Sequence, residues 1–188
     1  MKGLPLFTVM VSVACVLSGC QSPPSRPPAG SGAGQSIRNN CYSLLHQLLN
    51  DEKNVNLLLL IKREEADVKV LVKKIATTAG AGAALLEEFA RKDPSIRLDD
   101  FRLPRGEVAT REAIASTKKK ELLGQTGDKF ELSLLLTQAQ ALSYGWHLAK
   151  VASENEPQAD RARALAGVAR DLEGLYHEVI ALLFSRTK

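Results

Sequence analysis

One stretch, Asp67–Ala90 (DVKVLVKKIATTAGAGAALLEEFA), carries the clearest structural pattern in this 188-residue chain. Its apolar and small residues recur in alternating steps of four and three: Val68, Val72, Ile75, Ala79, Gly82, Leu86 and Phe89. That alternation is typical of the seam along which helices pack at about 20° to one another. Asp93-Pro94 follows and cannot continue a helix. We therefore predict a long helix from about Glu64 to Lys92.

The same alternation recurs twice in the C-terminal half, where it predicts helices from about Asp128 to Glu154 and from Pro157 to about Phe184. Their seams run through Phe130, Leu134, Thr137, Ala141, Tyr144, Leu148 and Val151, and through Leu165, Val168, Leu172, Leu175, Val179 and Leu182. No stretch alternates with the period of two that strands require. The chain is therefore predicted to be all-α.

Two more segments complete the predicted architecture. A leucine-rich face from about Arg38 to Ile61 predicts a first helix, which Asn50-Asp51 could divide into two. After an extended connection over Pro94–Gly106, a short helix is expected over Glu107–Leu123, with Gly124 as its stop signal. Together these elements predict a four-helix bundle, up-and-down or ferritin-like, with a long crossover loop and one extra short helix.

Two local patterns within these helices deserve separate predictions. Leu57–Ile61 (LLLLI) is apolar on every side, which favours a deeply buried turn. Thr77–Ala84 (TTAGAGAA) favours a close crossing with another helix, because small residues allow backbones to approach. A hinge or a cofactor gap is the alternative. It is not a phosphate loop, because no strand precedes Gly80 and no Gly-Lys-Ser/Thr ending follows.

The N-terminus has the pattern of an export signal. Lys2 is followed by an apolar run over Leu4–Leu17, which is short of the ~20 residues that a membrane span needs. The run ends at Leu17-Ser18-Gly19-Cys20, which resembles the lipobox of bacterial lipoproteins. That resemblance implies that Met1–Gly19 is removed and that Cys20 becomes the acylated first residue. Attachment to a lipid membrane would then need no spanning helix, because several acyl chains hold firmly.

The segment after Cys20 is rich in proline and then in glycine and serine, as Gln21–Ser36 reads QSPPSRPPAGSGAGQS. Such a composition predicts a disordered tether. The expected organisation is thus a signal peptide over 1–19, a lipidated cysteine and tether over 20–36, and a helical domain over 37–188. Gln21, which is not aspartate, implies by the same resemblance an outer-membrane location facing the periplasm.

Composition limits the function classes. The net charge is only +4, acids and bases are interspersed, and no basic stripe is interleaved with aromatic residues. A nucleic-acid partner is therefore not expected. Only Cys41 remains beyond the signal and the anchor, so no disulfide can form within the mature chain. Cys41 is predicted to be either a buried small apolar residue or a thiol that pairs with another molecule.

The order of elements carries a further resemblance. Asp67–Ala90, Leu103-Pro104, LLGQTGDKFE (Leu122–Glu131) and VARDLEGLYHEVIALL (Val168–Leu183) resemble the periplasmic ferritin-like bundle proteins of unknown function. In that family, histidines often occur on the second and third helices, where this chain has Thr78, Ala79 and Leu142. Only His177 matches a family histidine, which argues against a metal role here.

The residues themselves give little support to a metal or a catalytic group. A di-iron bundle uses Glu-x-x-His motifs, whose members share a helix face. Here Tyr144 precedes His147 by three residues and Gly174 precedes His177 by three. Glu173 and His177, four residues apart, are the candidate metal ligands that remain. Cys41 and His46 lie five apart and do not share a face well, so no enzyme activity and no cofactor are expected.

Tyr144 and Trp146, beside His147, form the only aromatic cluster. They are predicted either to pack in the core and rim or to anchor a partner in a groove. The first functional hypothesis is therefore a lipid-anchored structural or partner-binding module of the cell envelope, with an envelope protein as partner. The second is a ferritin-like metal-binding or redox protein with a degenerate site. The third is a carrier with a ligand cavity at the glycine-lined crossing.

Overall fold

The computed structural model describes residues 32–60, 62 and 64–186, and within these ranges the protein is all-helical, as predicted. Its elements are α1 (Gly32–Glu52), a 3-10 segment (Val55–Leu60), α2 (Ala66–Lys92), α3 (Arg105–Gly124), α4 (Gly127–Glu154) and α5 (Ala159–Arg186). No strand occurs in this part of the chain. The predicted signal peptide, Cys20 and most of the predicted tether lie outside the described residues.

The helix boundaries from α2 onward fall within two residues of the prediction, but the first helix differs. Helix α1 begins at Gly32, so the last residues of the predicted tether are helical, and Gly34 is already buried. The chain leaves the helix after Glu52 rather than at Asn50-Asp51, and continues as the 3-10 segment. The expectation of a deeply buried turn is wrong for Leu57, whose side chain is 55% exposed, because this short segment has one face toward solvent.

Helices α1, α2, α4 and α5 surround one hydrophobic core. Helix α4 packs mainly on α5 and α1, while α2 packs on α1 and α5. The predicted seam of α2 is confirmed, since its residues from Val68 to Leu86 are buried and Phe89 is partly buried. In α4 the predicted seam is confirmed in part, since Phe130, Leu134 and Leu148 are buried. A second buried row lies one residue further along and is formed by Glu131, Leu135, Gln138, Leu142, Gly145, Ala149 and Ala152.

The second buried row of α4 was not predicted from the sequence, for a simple reason. Two of its positions, Glu131 and Gln138, are polar, so a pattern of apolar residues alone does not reveal them. Leucines lie on both sides of the seam because α4 faces two neighbouring helices. The buried stripe of α4 is therefore wide enough to include both rows.

Two glycines lie at close contacts between helices. A Cβ atom on Gly82 would lie 3.0 Å from Leu49 Cδ1 of α1, so the predicted close crossing is confirmed at that residue. Leu49 thus occupies the space that a side chain at position 82 would take. The tightest position is Gly145 of α4, where a Cβ atom would lie 2.8 Å from Leu48 Cδ2 and 3.2 Å from Leu172 Cδ1.

A buried carboxylate joins separate segments at one end of the core. Glu156, 5% exposed, lies in the turn between α4 and α5. Its Oε2 accepts a hydrogen bond of 2.8 Å from the Tyr42 hydroxyl of α1. Its Oε1 accepts a 2.8 Å bond from Arg161 Nη2 of α5 and a 3.0 Å bond from the Gln158 backbone N–H. Buried charges require such partners, because desolvation is costly.

The same cluster holds the loop between α2 and α3. Arg161 also pairs with Asp93 Oδ2 at 2.9 Å, at the end of α2. From α1, Arg38 and Asn39 donate hydrogen bonds to the Ser95 carbonyl at 3.3 and 3.1 Å. Ser43 accepts one from the Asp100 backbone N–H at 2.9 Å. The crossover loop is therefore fixed to α1 along much of its length.

Helix α3 lies at the edge of this core, which it reaches through Leu122. It packs against α4, and Leu122 is its one buried residue. Val108 and Ile114 are 40% and 55% exposed on its surface. None of the described helices is long and apolar enough to cross a membrane.

The glycine contacts predict opposite outcomes for one substitution at two sites. Gly174→Ala, with no atom near its new methyl group, should stabilise the protein by about 1 kcal/mol, the usual gain of alanine over glycine in a helix. Gly145→Ala should gain nothing or lose stability, because the methyl group forces Leu48 and Leu172 to move. Urea unfolding of both variants measures the difference. Equal stabilisation of the two would contradict the close packing at Gly145.

Candidate functional site

Tyr144 lies between two surface grooves. It is half-buried on α4 and lines both of them. The first groove runs between α4 and α5, has a volume of about 530 Å³, and is lined by Leu136, Ala139, Gln140, Ser143, Tyr144, His147, Tyr176, Ile180 and Leu183. None of these residues is Asp, Glu, Lys or Arg. An uncharged, largely apolar strip is therefore exposed on a protein whose surface is otherwise rich in charge.

The second groove lies beneath α3 and has a volume of about 490 Å³. Leu44 and Leu48 of α1, Phe101 and Leu103 of the crossover loop, and Val108 of α3 form its apolar walls. Charged side chains also reach it, namely Asp51, Arg111 and Glu112. This groove is thus more polar than the first, and its outer wall is the helix with the fewest buried residues.

Arg111 connects Tyr144 to α3. Its Nη2 donates a 3.0 Å hydrogen bond to the Tyr144 hydroxyl, and its guanidinium carbon lies 5.1 Å from the centre of the tyrosine ring. Glu107, one turn earlier on α3, accepts a 2.6 Å bond from Arg111 Nε and orients it. Tyr144 is therefore already engaged by its own chain on one side. Sequence reasoning missed Arg111, because nothing in the pattern of α3 distinguishes it from the other basic residues.

Trp146 does not share a surface with Tyr144. Residues two apart on a helix are separated by about 200°, so they face nearly opposite directions. Trp146 is half-buried against the core, and its ring centre lies 3.5 Å from that of His147. It does not line either groove. The prediction that both aromatic residues contact one partner is not supported by this arrangement, whereas His147 and Tyr176 do line the first groove.

The candidate metal ligands do not come together with others. His177 is exposed and stacks edge-on against Tyr176, at 5.4 Å between ring centres, and Glu173 is partly buried one turn earlier. The described residues contain no cluster of three or more His, Cys, Asp or Glu side chains that could hold a metal ion. The convergence of ligands that a zinc or di-iron site requires is not present in this part of the protein.

Cys41 and His46 have separate environments. Cys41 is buried, as the first alternative from the sequence predicted, and burial raises the pKa of its thiol to about 11. A thiol with so high a pKa is not a nucleophile near neutral pH. His46 Nε2 lies 3.1 Å from Glu87 Oε1 and 2.9 Å from Asn50 Nδ2, so its partners are on α2 and on its own helix.

Comparison with known proteins adds no family. No family model, no curated protein and no solved structure matches this chain. The features of this protein that bear on function are therefore the two grooves and the sequence pattern of the N-terminus.

Proposed function

We propose that this protein is a lipid-anchored module of the cell envelope that works by binding an envelope protein, not by catalysis. In this proposal Cys20 carries the acyl chains, and the helical domain stands next to the membrane, facing the periplasm from the outer membrane. The sequence Leu17-Ser18-Gly19-Cys20 supports the anchor. The uncharged groove between α4 and α5 is the one observation that carries the binding role.

The groove has the composition of an interface centre. Charged residues are depleted at the centres of protein–protein interfaces, while tyrosine is enriched there. Tyr144 and Tyr176 line this groove together with Ile180, and Leu136 on its edge is 50% exposed. A groove between two antiparallel helices fits the apolar face of a partner helix, which is a common mode of peptide recognition. We therefore propose an amphipathic helix of an envelope protein as the occupant.

We further propose that α1, α2, α4 and α5 form a bundle with ferritin-like connections. The packing order supports this arrangement: α2 has α1 and α5 as its neighbours, while α4 has α5 and α1. The chain therefore passes from α2 to α4 across the bundle, through the crossover loop and α3. One such long crossover distinguishes ferritin-like bundles from up-and-down bundles.

The anchor predicts a modified N-terminus. Protein purified from envelope membranes should begin at Cys20, and mass spectrometry of its N-terminal peptide should show the added mass of diacylglycerol and an acyl chain. Cys20→Ala should abolish the added mass and move the protein out of the membrane fraction. An unmodified thiol at Cys20, or a mature chain that still begins at Met1, would refute the anchor.

The binding role predicts position-specific crosslinking in cells. A photoreactive amino acid in place of Leu136, on the edge of the groove, should give one discrete adduct with an envelope protein. The same group in place of Ile114, which is similarly exposed on α3, should not give that adduct. Adding Ile180→Glu to the Leu136 probe should abolish the adduct, because it places a charge in the apolar wall. Circular dichroism of each variant checks that the fold is kept.

Other results of this experiment would count against the groove. Identical adducts from both probe positions would indicate nonspecific collision. An adduct that survives Ile180→Glu would place the partner elsewhere on the protein.

A further inference from the structure

Two buried carboxyl groups on the long helices have opposite surroundings. Glu131 of α4, 4% exposed, pairs with Arg186 Nη1 of α5 at 2.8 Å and accepts a hydrogen bond from the Glu65 backbone N–H. A cation and a backbone donor thus offset the cost of removing this carboxylate from water. Glu131 therefore has the partners that a buried carboxylate needs.

Glu52 lacks such partners. It lies in the last turn of α1, and its Oε2 is buried without a hydrogen-bond donor among the described residues. No Lys or Arg in the described part of the chain forms an ion pair with it. Lys53, its neighbour, is bonded to the Asn50 side chain. The neighbour of Glu52 from α4 is Gln138, a neutral residue that is 2% exposed. The Oε1 atom of Gln138 is also buried and has no hydrogen-bond partner among the described residues.

Three effects disfavour a negative charge on Glu52. Burial removes its hydration, which is the largest effect, and the adjacent Asp51 adds like-charge repulsion. The C-terminal end of α1 carries the negative end of the helix dipole, which repels a carboxylate further. A hydrogen bond from the Gln138 amide opposes these effects in part. The result is a pKa for Glu52 raised from 4.5 to about 7.

We propose that Glu52 is a proton-binding site of the folded protein, where the neutral acid and the Gln138 amide form a pair that holds the end of α1 against α4. A protonated carboxyl group is both a donor and an acceptor. Its O–H at Oε2 can donate to Gln138 Oε1, while the amide N–H donates to the other carboxyl oxygen. This one proton satisfies both of the buried oxygens that otherwise have no partner.

Loss of the proton breaks the pair. When the pH rises, the Glu52 carboxyl group releases its proton to water. The buried carboxylate still accepts the hydrogen bond from the Gln138 amide, but it can no longer donate one to Gln138 Oε1. The turn at Glu52 and the 3-10 segment that follows it, in which Leu57 is exposed, can then move toward solvent. The Glu52–Gln138 pair therefore responds to pH near neutrality. This response does not depend on the proposed anchor or partner.

The sign of the pH dependence follows from the raised pKa. The folded state holds the proton more tightly than the unfolded chain, so the contribution to stability is fully present below about pH 4.5. It is lost as the pH rises through about 7. Glu52→Gln, which imitates the neutral acid, should remove this loss.

The test compares Glu52→Gln with Glu131→Gln in the full mature chain. Denaturant unfolding at pH 8 should show that Glu52→Gln increases the folding equilibrium constant about tenfold or more. At pH 4 the change should stay within about twofold, because both forms are then neutral. Glu131→Gln should decrease the constant at pH 8, because Arg186 loses its buried partner and keeps only the exposed Asp67.

Carbon NMR of the Glu52 side chain in the unmodified protein provides an independent measurement. The proposal expects a titration midpoint near 7. A midpoint below about 5.5, closer to the ordinary glutamate value, would overturn it. The proposal would also be overturned if Glu52→Gln at pH 8 increased the folding equilibrium constant by less than about threefold, or decreased it as Glu131→Gln does. Either result would mean that the folded protein tolerates the carboxylate at position 52.

Discussion

The carboxylate of Glu156 is the interaction on which the rest of the architecture depends. It lies in the short turn between α4 and α5, yet it binds Tyr42 of α1 and Arg161 of α5, and Arg161 binds Asp93 at the end of α2. All four core helices therefore meet at one buried charge. Burial, the negative charge of Glu156 and the hydrogen bond to it raise the pKa of the Tyr42 hydroxyl, which keeps it protonated as a donor.

The functional surface depends on this cluster through the crossover loop. Because α1 holds the loop at Ser95 and Asp100, the loop delivers α3 to the outer side of α4. Arg111 of α3 then reaches Tyr144 and closes one side of the tyrosine. On the other side, the groove between α4 and α5 stays open and uncharged. Gly145 lets α1 and α5 pack closely on α4, so the same helix that forms the core also presents the groove.

The sequence predicted local structure well and distant contacts poorly. The seam of α2 and the stop at Asp93-Pro94 follow from residues within a few turns of each other, so the pattern was sufficient. The start of α1 at Gly32 was missed because glycine and serine composition favours a coil, whereas the burial of Gly34 and the bond from Arg38 to the loop at Ser95 stabilise a helix. The pairing of Tyr42 with Glu156 joins residues more than a hundred positions apart, and no periodicity reveals it.

For the candidate sites, too, the sequence did not reveal features that depend on how side chains are arranged in the fold. The nearness of Tyr144 and Trp146 in sequence suggested one surface, but the helical rotation between them places them on different sides of α4. The raised pKa of Glu52 could not be predicted from the sequence either. An acid near the end of a helix looks like ordinary surface charge until its burial against Gln138 is seen. Side-chain direction, and not residue type, decided each of these cases.

A double-mutant cycle between Tyr42 and Glu156 tests the central claim most directly. The free energy of unfolding is measured for the original protein, Tyr42→Phe, Glu156→Gln and the double variant. The buried cluster predicts that Glu156→Gln alone costs about 3 kcal/mol or more, because Arg161 and Arg38 lose a buried partner. It also predicts a coupling energy of about 1 kcal/mol or more between the two residues. A cost below about 1 kcal/mol for Glu156→Gln, with additive effects in the cycle, would contradict the claim that this carboxylate joins the helices.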